Sequence, residues 1–75
     1  MDITLYMTDG ESITVSPENP ANALRALELM LERQSGVYTI NCGADAPHPK
    51  VTVAGAHIVR IGHSETGSRD LFYGR

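Results

Sequence analysis

The sequence predicts a small α+β domain of order ββαβββ, in which a single-layer antiparallel or mixed sheet packs on one helix. Three observations lead there. Residues 1–16 alternate apolar and polar side chains around a glycine turn. Residues 20–35 carry apolar side chains at helical spacing, between a capping asparagine and a stopping glycine. Three later segments, 37–42, 50–54 and 57–62, are short, rich in β-branched residues and punctuated by glycine or proline. At 75 residues and 8.1 kDa there is room for one domain and one modest core. That is near the lower limit for folding without crosslinks, metals or partners, so self-association is an expected source of added stability.

In the hairpin, residues 2–16, Ile3, Leu5 and Met7 fall on one side and Asp2, Thr4, Tyr6 and Thr8 on the other. A two-residue loop over Asp9 and Gly10 would pair Leu5 with Thr14 and Tyr6 with Ile13, scattering apolar residues over both faces. A three-residue loop of Thr8, Asp9 and Gly10, a type I turn with Gly10 left-handed as a bulge, pairs Leu5 with Ile13 and Ile3 with Val15. The buried face decides register, so the bulged turn is predicted.

The helix begins at Asn19 as N-cap with Pro20 in the first turn, or one turn earlier at Ser16 and Pro17, and stops at Gly36. At about 100° per residue, Ala23, Leu24, Leu27, Met30 and Leu31 form one apolar stripe for the sheet, with Arg25, Glu28, Glu32 and Arg33 turned away. Leu29 falls among the polar group with Ala26 close by, an outward apolar spot.

Tyr38, Ile40 and Cys42 share a face of the next strand, and Val51 and Val53 align on the one after. In "HIVRIG", Val59 and Ile61 are expected on one face with Ile58 alone on the other, and His57 and His63 keep the parity of Val59 and Ile61 at half-exposed strand ends. The tail, residues 64–75, begins as a polar loop and contains Leu71, Phe72 and Tyr73. Such a triplet is out of place in a solvated terminus. It either closes the domain's own sheet or adds to a partner's edge.

The opening "MDITLYMTDGESITV" resembles the first hairpin of ubiquitin-like proteins, and hairpin, helix and further strands is the order of the β-grasp fold. The resemblance covers roughly the first half of the chain and implies a β-grasp-like fold, without function. The ending "LFYGR" lacks the paired glycines of the family's conjugated members, so no role as a conjugation tag is implied.

Charge and composition exclude more than they select. The formal net charge is -3, with no Trp and one Phe. Nucleic-acid binding through Lys50, Arg60, Arg69 and Arg75 therefore works against long-range repulsion and a shortage of stacking side chains. One cysteine makes no internal disulfide and no long apolar run marks a membrane span, so a reducing, cytoplasmic setting without membrane is expected. The glycines at 36, 43, 55, 62 and 67 are isolated, with no phosphate-cradling pattern, and no cofactor is expected.

The stretch "NCGADAPHPK" holds the one chemically suggestive constellation, Cys42, Asp45 and His48. With His57 or His63 as a fourth ligand it has the donor types for a zinc-like ion; alternatively Cys42 beside a histidine and a carboxylate is the composition of a cysteine nucleophile. Against both, zinc signatures pair their thiolates, and Cys42 shares parity with Tyr38 and Ile40 as a small inward residue. The favoured reading is a small non-enzymatic protein–protein interaction module that self-associates, a homodimer, in the size class of accessory or inhibitory proteins of phages and mobile elements. Its partner-binding residues are expected at Ala26 and Leu29 on the helix, Asp45 and His48 on the loop, and Leu71, Phe72 and Tyr73 in the tail. The alternative is a metal-dependent or cysteine-based site at Cys42, Asp45 and His48.

Overall fold

The computed structural model describes residues 1–64 and the backbone of 70–74, with side chains described to His63. Strands β1 (Asp2–Met7) and β2 (Ser12–Val15) form the predicted hairpin, with Ile3 opposite Val15 and Leu5 opposite Ile13. The turn has the expected bulged geometry. Gly10 N donates to Met7 O at 3.1 Å, Met7 N donates to Glu11 O at 2.8 Å, and Gly10 takes φ 89°. Asp9 fixes the same turn by accepting the Glu11 amide on its carboxylate at 2.9 Å.

Helix α1 (Pro20–Arg33) starts at the Asn19 cap, whose side chain accepts from Asn22 N at 3.3 Å. The earlier start is not used, because Ser16 donates its hydroxyl to the Asp2 carboxylate across the hairpin. The far end differs from expectation by about one half turn. Gln34, at φ 54°, makes the left-handed exit, and Gly36, at φ 90°, completes the reversal two residues later. Ala23, Leu27, Met30 and Leu31 are buried as predicted, with Leu24 partly buried beside them.

Strands β3 (Val37–Asn41) and β4 (Lys50–Ala54) pair antiparallel, Ile40 opposite Val51 and Tyr38 opposite Val53. A short 3-10 turn, Gly55–His57, leads into β5 (Ile58–Ser64), and β6 (Asp70–Gly74) follows. The expectation of one sheet is corrected here. Strands β2, β1, β5 and β6 make one four-stranded sheet in that order, and β3 and β4 make a second of their own. Every pairing is antiparallel, and the likeness to the β-grasp fold stops at the hairpin and helix. Helix α1 touches both sheets, and one core joins all three layers through Ile3, Leu5, Leu27, Ile40, Ile58 and Ile61.

Parity along β5 is a second correction. Met7 lies opposite Ile58 but Tyr6 lies opposite Arg60, so Val59 is an extra residue with no partner on β1. This β-bulge resets the alternation. Ile58 and Ile61, three apart, are both fully buried at 0% exposure, whereas Val59 is 40% exposed. Val59 and Ile61 therefore do not share a face. Nor do the histidines: His63, level with Ile3, is buried to 5% exposure, and His57 is exposed on the 3-10 turn.

The chain passes closest to itself where the 3-10 turn meets the end of α1. Gly55 N donates to Gly36 O at 2.9 Å, and a Cβ on Gly55 would lie 2.9 Å from Met30 O and closer still to Ser35 O. Only a residue without a side chain fits against those helix-terminal carbonyls.

Candidate functional site

The loop from Cys42 to Pro49 joins β3 to β4 and is organised by its own backbone. Cys42 N donates to Pro49 O at 2.8 Å, Ala46 N donates to Gly43 O at 3.2 Å, and Gly43 sits at φ 92°. Within that frame the three candidate residues part company. Cys42 is half-buried and packs on the core beside β3, as its parity predicts. Asp45 and His48 are exposed. Among the described residues, no three His, Cys, Asp or Glu side chains come together in a group able to hold a metal ion.

Cys42 and His48 do share a shallow depression of about 190 Å³, whose opposite wall is Thr14, Val15 and Ser16 at the end of β2. Asp45 is not part of it. The depression brings the thiol and a histidine together, and among the described residues no carboxylate lines it with them. Ala46 and Pro47 of the loop line the same depression, facing Thr14, Val15 and Ser16 across it. A hydrogen bond from Glu18 N to Asn41 O at 2.9 Å fastens the start of this loop to the segment after β2.

A larger open groove of about 620 Å³ lies between the β1–β2 turn and β4, bounded by Thr8, Asp9, Thr52 and His57. Sequence reasoning missed it. Its walls come from segments more than forty residues apart, joined by Thr8 N donating to His57 O at 2.9 Å, and no periodicity encodes that meeting. On the outer face of the four-stranded sheet, the Arg60 guanidinium lies 4.5 Å from the Tyr6 ring centroid, and Thr4 and Thr14 share a hydroxyl hydrogen bond of 2.9 Å. Thr39 and Thr52 make the equivalent bond on the second sheet, also at 2.9 Å.

On the outward face of α1, Leu29 is 44% exposed and Ala26 half-buried, as predicted. Arg25, Glu32 and Arg33 are exposed around them, and Glu28 is partly so. The tail's backbone forms β6 beside β5, the first of the two alternatives raised for it, with Leu71 opposite His63 and Tyr73 opposite Ile61. The side-chain environments of Leu71, Phe72 and Tyr73 lie outside the described residues, as do Arg69 and Arg75. No helix among the described residues is long and apolar enough to cross a membrane.

No protein-family model, curated protein or solved structure matches the chain.

Proposed function

We propose that this chain is a small non-enzymatic protein-binding module that associates with itself. The observation that carries the reading is the outward face of α1, where Leu29 stands 44% exposed beside Ala26. A single exposed leucine is ordinary in a soluble domain. Here it belongs to an apolar pair ringed by Arg25, Glu28, Glu32 and Arg33, the arrangement of an apolar centre with a charged rim found at modest interfaces. Asp45 and His48, exposed on a loop stiffened by two prolines, are the second set of contact residues, since ordered loops carry recognition at little entropic cost.

Covering what remains exposed of Leu29 contributes roughly 1 kcal/mol per copy, from a transfer value of about 1.5–3 kcal/mol for a whole leucine. That is small against the cost of bringing two molecules together. The self-contact is therefore weak and depends on what surrounds the leucine.

Light scattering across a concentration series, together with affinity capture from the native host, tests the reading. The expected result is a mass that rises with concentration. A constant mass of 8.1 kDa across the series, with no protein captured, overturns it.

A further inference from the structure

From the open edge of β4, we infer that the groove between that strand and the β1–β2 turn seats an extended segment of a partner protein, with a Lys or Arg side chain placed against Asp9; this rests on the protein-binding reading above. The direction of the β4 backbone is the first ground. In an antiparallel ladder the N–H and C=O of one residue point to the same side, and successive residues alternate. Cys42 N donates to Pro49 O between the two strands, whereas Asn41 O turns the other way to accept from Glu18 N. Followed along the register, that alternation makes Ile40 with Val51 and Tyr38 with Val53 the hydrogen-bonded pairs. Thr52 and Ala54 therefore direct both of their backbone groups away from β3, and both residues line the groove. Among the described residues, no partner meets those N–H and C=O groups. An added strand is the ligand that satisfies such a row.

Shape and charge name the occupant. Thr8 N, donating to His57 O at 2.9 Å, ties the β1–β2 turn to the 3-10 turn, so the two walls are held together. The volume of about 620 Å³ is that of a binding cleft, and buried Val53 with half-buried Met7 supplies its apolar lining. Asp9 is the carboxylate of that lining. It holds the Glu11 amide at 2.9 Å, and no cation among the described residues pairs with it. Lys50 lies outside the groove, and the whole chain carries a formal charge of -3. A basic strand answers both the open backbone groups and the carboxylate, while an acidic segment, or a second copy of this acidic chain, meets repulsion.

Selection from a phage-displayed library of random short peptides tests this, with amide resonances of the isotope-labelled chain to locate the binding. The selected peptides are expected to share one Lys or Arg position and to move the amides of Thr8, Asp9, Thr52 and Ala54. Thr52→Pro, a change an edge strand tolerates, removes one donor and should weaken them about tenfold. Asp9→Asn keeps an oxygen for the Glu11 amide but loses the charge, and should weaken them about threefold and flatten their salt dependence. Circular dichroism verifies folding, and the amide map with Asp9→Asn decides even where Thr52→Pro does not fold. Peptides that bind Thr52→Pro unchanged, that move only amides elsewhere or that are selected without a basic residue overturn the inference, as does a library that yields no binder. If Thr52→Pro instead abolishes the rise of mass with concentration, a second copy occupies the edge and the basic segment is wrong. Self-association is read separately by light scattering, so it can stand where this inference falls.

Discussion

Arg60 stacks its guanidinium on Tyr6, 4.5 Å from the ring centroid, because one unpaired residue beside it, Val59, shifts the strand's parity. Were Val59 paired in a regularly alternating strand, Arg60 would have the parity of Ile58, which is fully buried. The bulge thus does two things together. It sends two isoleucines into the core from positions three apart, and it sets the intervening cation over an aromatic face, a contact of about 0.5–1 kcal/mol at exposed sites.

The bulge predicts an uneven cost along β5. Ile58→Ala and Ile61→Ala should each destabilise by about 2–4 kcal/mol, while Val59→Ala stays near 0.5 kcal/mol. Chemical denaturation of the three variants decides. A Val59→Ala cost equal to that of Ile61→Ala, with Ile58→Ala harmless, would mean a regularly alternating strand.

Two glycines should fail for different reasons. Gly10 has φ 89° and open space around the position of a Cβ, so Gly10→Ala costs only the left-handed conformation, about 1–2 kcal/mol. Gly55 has no such dihedral constraint but meets the carbonyls of Met30 and Ser35, and Gly55→Ala forces backbone apart at about 3 kcal/mol. For a domain of this size, with total stability of roughly 4–11 kcal/mol, the second loss is severe. Gly10→Asn, which tolerates the left-handed region, should recover part of the first loss. Thermal melts showing Gly55→Ala milder than Gly10→Ala would refute the close approach.

For Cys42, which shares its depression with His48 but not with Asp45, indifference to metal is predicted. Melting curves with and without chelator should coincide, and Cys42→Ala should cost less than about 1.5 kcal/mol, as for a small packing residue. Elemental analysis finding one transition-metal ion per chain would restore the metal-site reading.

Much of this architecture is legible in the sequence where local rules and burial agree. The pairing of Leu5 with Ile13 follows from alternation and one glycine, and the helix start follows from Asn19 and Pro20. The β5 parity was also written there, in the apolar pair Ile58 and Ile61 at spacing three, which a regular strand cannot bury on one face. Reading Val59 with Ile61 kept the alternation and lost that signal. The division into two sheets was not legible, since no strand's own alternation says which neighbour it pairs with. The candidate site was half legible: parity placed Cys42 inward, but loop side chains have no period, and nothing in the spacing of Asp45 and His48 says which way each points.

The loop beside β2 has a consequence for solubility. An outer strand with free amides and carbonyls invites copies of itself to polymerise edge to edge. Pro47, which has no amide hydrogen, lines the same depression as Val15 and Ser16 at the end of that strand. Replacing the loop with a tight two-residue turn would leave the β3–β4 hairpin able to form and open the end of β2, and the expected outcome is a faster rise in turbidity and amyloid-dye fluorescence than for the unaltered chain.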